Sequence, residues 1–210
     1  MKKRWLAAAL LAIFCLAGCG KTEKLAQNPW QRVEYLPAET AVSFLTALDL
    51  TPGEIAMADT DSLPIVRELT FTEDGSCSFG CSGEATRPLA RSYLDTLFTA
   101  LAADPAAFAG EYDEAFGVDM AAMDADGCKA FYAEIFGCKD YEALLDHLAD
   151  ALFDYDALNA AGEVRQFAIR GGKLFFTDAA GADLGCVKFT LTENGLTLDY
   201  GDTVEEYKKA

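Results

Sequence analysis

The sequence predicts an α+β protein: an antiparallel curved sheet or partial β-barrel with an inserted helical subdomain. Three observations predict it. Apolar and polar residues alternate with period two from residue 163 onward, a second alternating pair lies between residues 65 and 82, and the stretch between them spaces its apolar residues by three and four. The 210 residues are 51% hydrophobic and 24% charged with 17 Gly and 6 Pro, which excludes a disordered or collagen-like chain.

The elements follow in order. Trp30–Leu36 is an opening strand carrying Trp30, Val33 and Tyr35. Pro37 before and Pro52-Gly53 after bound a short helix over Ala38–Leu48, and Glu54–Ala58 is taken as another strand. Ile65–Thr72 and Ser76–Ser82 flank the turn Glu73-Asp74-Gly75, with Ile65, Leu69 and Phe71 facing Cys77, Phe79 and Cys81. Helices are predicted over 88–103, 106–116, 123–136 and 141–158, the first with Leu94, Leu97, Phe98 and Leu101 as its buried stripe. A meander closes the chain: Val164–Arg170, Lys173–Thr177, Gly185–Leu191 and Leu196–Tyr200, turning at Gly171-Gly172, around Gly181 and at Asn194-Gly195. The organisation is therefore a leader (1–18), a lead-in (19–29), a first sheet segment (30–84), a helical insertion (85–161) and a C-terminal meander (162–210).

The leader has three parts: Lys2-Lys3-Arg4, an apolar run from Trp5 to Leu16, and Leu16-Ala17-Gly18-Cys19. That order marks a secretory signal, and the run is short of the roughly 20 residues that cross a bilayer. The last four residues resemble the lipobox of bacterial lipoproteins. The resemblance implies a diacylglyceryl thioether on Cys19, cleavage after Gly18, and attachment to the bacterial cell membrane on its extracytoplasmic side. Two acyl chains make a stable anchor where one is marginal. Residues 20–29 are polar and unpatterned, which suits a tether.

Charge narrows the partners. The chain carries 34 acidic and 17 basic residues, a formal −17, and losing Lys2, Lys3 and Arg4 with the leader leaves 14 basic against 34 acidic residues, a formal −20. No run of basic residues lies outside 2–4, so nucleic acid is not an expected partner, and the mature chain is not drawn to an anionic membrane by its charge.

Catalytic and metal chemistry find little support. His147 is the single histidine, which excludes multi-histidine metal sites. Asp124-Ala125-Asp126-Gly127 has a calcium-loop core, but Ala122 and Ala133 occupy the first and last ligand positions, so an acidic helix start is the better account. Gly75-Ser76-Cys77-Ser78-Phe79-Gly80 lacks the spacing of a nucleophile elbow. No cofactor, metal or catalytic residue is assigned. Five cysteines remain beyond the anchor, Cys77, Cys81, Cys128, Cys138 and Cys186. Reduced, mostly buried thiols are favoured over a Cys128–Cys138 bridge.

Trp30 in the first strand, the hairpin Phe71-Thr72-Glu73-Asp74-Gly75 and the final meander with its acidic end resemble the lipocalin-like lipoproteins of gut bacteria, over roughly residues 28–83 and 162–207. The resemblance implies a lipocalin-like barrel that holds a ligand. Asn28-Pro29-Trp30 stands where lipocalins carry Gly-x-Trp, so incomplete closure is expected. Trp30, Phe71, Phe79, Phe176 and Phe189, with Phe175, are the residues that would line a ligand cavity; the competing account is that they fill a small core. The expected function is a membrane-anchored, non-catalytic module that binds a small molecule or peptide. The alternative is a cell-envelope scaffold that docks a protein through its acidic helical insertion.

Overall fold

The computed structural model describes residues 20–160 and 162–210. The leader and the lipobox with Cys19 lie outside the described residues. No helix among those described is long and apolar enough to cross a membrane.

Eight strands form a closed antiparallel barrel in simple chain order. They are β1 (Trp30–Tyr35), β2 (Pro64–Phe71), β3 (Ser76–Cys81), β4 (Glu163–Arg170), β5 (Lys173–Thr177), β6 (Asp183–Leu191), β7 (Gly195–Asp199) and β8 (Val204–Lys209). The expected incomplete closure is overturned. The reason is β8, whose residues were read only as an acidic end: it pairs with β7 on one side and with β1 on the other, through Trp30↔Lys209 and Gln31↔Lys208. Val204-Glu205-Glu206-Tyr207-Lys208-Lys209 buries Tyr207 but otherwise lacks an apolar alternation, so the period-two signal is faint.

The helices are α1 (described over residues 20–26), α2 (Ala38–Ala47), α3 (Pro52–Met57), α4 (Gly83–Ala103), α5 (Ala109–Phe116), α6 (Ala125–Ile135), α7 (Tyr141–Leu152) and α8 (Tyr155–Ala160). Two differ in kind from the sequence reading. The stretch taken as a tether is helical over 20–26, and Leu25 is fully buried. The strand expected at Glu54–Ala58 is α3, because Thr51 and Glu54 form a reciprocal capping box with Pro52 in the first turn. Capping also moves boundaries. Ser82 Oγ accepts from the Ala85 amide at 3.3 Å and starts α4 one and a half turns before Pro88, and the helix expected over 141–158 breaks at Phe153 into α7 and α8.

The chain divides into two compact units. The barrel unit comprises the residues up to Arg32, Arg67–Cys81 and Asn159–Ala210. Its core is Leu25, Trp30, Leu69, Phe71, Cys77, Leu174, Phe176, Val187, Leu196, Leu198 and Tyr207, all buried, with Phe167 beside them. Eight strands enclose just enough room for side chains to fill. The β4–β5 turn needs positive φ at two successive positions, and Gly171 (56°) and Gly172 (76°) supply it. The helical unit comprises Val33–Val66 and Ser82–Leu158. Its core joins Leu45 of α2, the predicted Leu94, Leu97, Phe98 and Leu101 of α4, Tyr132 of α6, and Leu144, Leu145, Leu148 and Leu152 of α7. Thr86 Oγ1 donates to the Ser82 carbonyl and accepts from the Val66 amide, fastening the start of α4 to the start of β2.

Candidate functional site

The structure brings Trp30, Phe71, Phe79, Phe176 and Phe189 together in the barrel unit, whereas Phe175, expected with them, alternates with the buried Leu174 and Phe176 and so faces away from the core, beneath the Arg170 guanidinium. Trp30 is fully buried and its Nε1 donates to the Leu25 carbonyl at 2.9 Å, so α1 and the first strand are joined inside the barrel. Phe71 meets Phe167 edge to face at 5.0 Å, and Phe79 meets Phe176 at 5.5 Å. Phe189 is half-buried beneath the Lys21 ammonium at 5.5 Å. These residues are the packed interior, as a core-filling role requires. At the end where the chain enters, a cleft of about 410 Å³ lies over Trp30 between Lys24 and Lys209.

A wider opening lies wholly within the helical unit. A groove of about 440 Å³ runs between α4 and the segment from the end of β1 to the start of β2, a size typical of small-ligand sites. Period two explains its apolar rim. Trp30 points inward, so Val33 and Tyr35, three and five residues on, point the other way and are 50% and 60% exposed. Met57 is 45% exposed beside them, and Leu89, Leu97 and Ala100 form the α4 wall. Trp30, Val33 and Tyr35 of the opening strand are therefore divided between two faces.

Polar side chains of the groove are Tyr35, Asp59, Ser62, Ser92, Tyr93 and Thr96. The Tyr93 hydroxyl is buried with no hydrogen-bond partner, and its phenol is pushed up to about 12 by burial and, second, by the Asp59 carboxylate. Asp59 and Ser62 stand at the rim, where the Ser62 hydroxyl donates to the Asp59 carbonyl at 3.0 Å. A buried donor left unpaired costs about 1–3 kcal/mol, which a bound acceptor would recover. This assembly can hold an apolar body that carries polar groups. The exposed rim could have been read from the odd offset between Trp30 and Val33. The α4 wall could not, because it comes from a distant segment.

Elsewhere in the helical unit, Glu54 is fully buried. Tyr112 donates to Glu54 Oε1 at 2.6 Å and the Thr51 amide donates to Oε2 at 2.8 Å. Burial, then the Glu54 carboxylate, push the Tyr132 phenol and the Cys128 thiol up from their ordinary values. This satisfied carboxylate was missed in the sequence, although Thr51-Pro52-Gly53-Glu54 is a capping-box signature.

The remaining motifs are structural. Asp124 Oδ1 accepts from the Gly127 amide at 2.7 Å as the cap of α6. His147 is exposed on α7. Ser76 belongs to the hairpin turn, where Asp74 accepts from the Thr72 and Ser76 hydroxyls and is held below the usual carboxylate range by them. Cys77, Cys81, Cys128, Cys138 and Cys186 are all free thiols. Among the described residues no group of three His, Cys, Asp or Glu could hold a metal ion. Comparison with known proteins returns no matching family model, curated protein or solved structure.

Proposed function

We propose that this chain is a lipoprotein of the bacterial cell membrane, anchored through Cys19 on the extracytoplasmic side, and that it acts as a non-catalytic binding module. Its ligand site is the groove of the helical unit, and the aromatic residues of the barrel serve as core. The observation that carries the reading is the unpaired Tyr93 hydroxyl inside a groove with an apolar rim, set against a barrel interior filled by Leu25, Trp30, Phe71 and Phe176. The closed barrel with strands in chain order supports a lipocalin-like architecture, with the ligand role moved out of the barrel. The leader pattern supports the anchor.

The scaffold alternative draws on the acidity of the helical insertion, and there the geometry gives it less. Glu142, Asp146 and Asp150 form one stripe of α7, but Arg91 of α4 pairs with Glu142 and with Asp146 (2.7 Å), and Arg87 pairs with Asp150. That stripe is already met by cations of its own unit.

Native mass spectrometry of the full chain, purified from a bacterial host, tests the ligand site. The expected result is a mass excess that is lost on denaturation, weakened in Tyr35→Ala and Tyr93→Phe, and retained in Phe189→Ala. An excess that follows Phe189 instead would return the site to the barrel.

A further inference from the structure

Among the described residues that line the groove of the helical unit, Asp59 alone carries a formal charge. It precedes the 3₁₀ turn Thr60–Ser62, where an aspartate side chain ordinarily accepts from the first free amides. Here the side chain makes no such bond. Only the Asp59 carbonyl is engaged, accepting from the Ser62 hydroxyl at 3.0 Å and the Ser62 amide at 3.1 Å. Among the described residues the Asp59 carboxylate takes neither a hydrogen bond nor an ion pair.

Tyr93 supplies a second open group. Its hydroxyl is buried without a partner, and it lies close enough to Asp59 for that carboxylate to add to the effect of burial on the phenol. The neighbouring hydroxyls are engaged elsewhere: Thr96 Oγ1 donates to the Ser92 carbonyl at 3.0 Å, and Ser62 to the Asp59 carbonyl. An open carboxylate and a buried, protonated donor therefore stand near each other, bordered by Val33, Met57 and Leu89.

That combination defines a ligand class. The carboxylate calls for a cation and the phenol for an acceptor, and a carbonyl one carbon from an ammonium offers both at adjacent positions. A free carboxylate on the same ligand would meet no cation in the lining and would be repelled by Asp59, so the carboxyl end is an amide or a continuing chain. Apolar side chains complete the fit against the rim. We propose that the groove takes the amino terminus of a short apolar peptide, with its α-ammonium on the Asp59 carboxylate and its first carbonyl on the Tyr93 hydroxyl. The inference rests on the reading of the groove as the ligand site and adds the chemistry of the ligand. The formal charge of −17 raises the local concentration of such cations.

The test titrates the full chain with leucyl-leucinamide and, separately, with N-acetyl-leucyl-leucinamide, which lacks the positive charge, and follows methyl NMR shifts. Saturable shifts at Val33, Met57 and Leu89 are expected with the free amine, and binding about fivefold weaker with the acetylated peptide. Tyr93→Phe should weaken the free amine about fivefold. Asp59→Asn should abolish the preference for the free amine, and added salt should narrow it in the unmodified chain. The barrel methyls of Leu25 and Leu196, unmoved in either variant, report that the fold is kept. Equal binding of the two peptides, or a preference that survives Asp59→Asn, overturns the amine assignment while leaving the groove as a ligand site. Absence of groove shifts up to the solubility of leucyl-leucinamide overturns it as well, and the mass excess sensitive to Tyr35→Ala then decides separately whether the groove holds another ligand.

Discussion

At the residue scale, burial decides which polar groups the protein can spare. Glu54 is a fully buried carboxylate, with Oε1 held by Tyr112 and Oε2 by the Thr51 amide. Tyr112→Phe removes the hydroxyl and leaves Oε1 short of a donor, so urea denaturation should show a loss of about 1–3 kcal/mol. Tyr93→Phe provides the contrast. Its hydroxyl has no partner, so the substitution should leave stability within about 0.5 kcal/mol or raise it while weakening ligand binding. The thiols follow the same logic. Burial pushes Cys77 up to about 12 from 9.0, and Cys186 is exposed, so a thiol reagent at mild pH should label Cys186 in the native protein and reach Cys77 and Cys128 only on unfolding. The sign of the linkage follows from the raised native value. Neutral Cys77 contributes fully below pH 9 and its contribution is lost as pH rises toward about 12, so denaturation midpoints should fall across that alkaline window. Individual residues were legible in the sequence where a pattern names them: Leu94, Leu97, Phe98 and Leu101 are buried as their helical spacing requires. Glu54 was legible only as the end of a capping-box signature, and its burial against Tyr112 depends on a segment 58 residues away.

At the element scale, strands with a wet face and a dry face declared themselves, and elements with a single fully or nearly buried side chain did not. The meander from β4 to β7 lies within two residues of the boundaries the alternation gives. Tyr200, expected on its apolar face, is instead 46% exposed, because β7 ends at Asp199 and the chain turns through Gly201. The polar surroundings of Leu25 hid α1, yet that one side chain is fully buried in the barrel core. Leu25→Ala should therefore cost about 2–5 kcal/mol, the range for a core leucine, where a tether residue would cost nothing measurable. For β8, Tyr207 is the only buried residue of the strand, and its hydroxyl donates to Glu205 at 3.0 Å. Tyr207→Ala should loosen the seam between β8 and β1, with faster exchange at Lys209 and Ala210, whose amides bond to Asn194 and Pro29, than in the β4–β5 pair.

At the scale of the whole molecule, sequence reading reached the fold class and the order of its parts, and stopped where distant segments meet. Closure depends on β8 reaching β1, and the groove on α4 facing residues 33–64. Neither is a property of neighbouring residues, which is why a linear scan for motifs passes over them. The aromatic residues singled out as a cavity lining were visible in the sequence, while their packing into a filled interior depends on Leu25 entering beside Trp30. The central claim is that the ligand site is the groove and the barrel interior is core. Methyl-resolved NMR of the full chain, with an extract of bacterial envelope added, tests it most directly. The account predicts shifts at Val33, Met57 and Leu89 while Leu25, Val187 and Leu196 hold their positions; shifts in the barrel methyls with the groove methyls unmoved would contradict it.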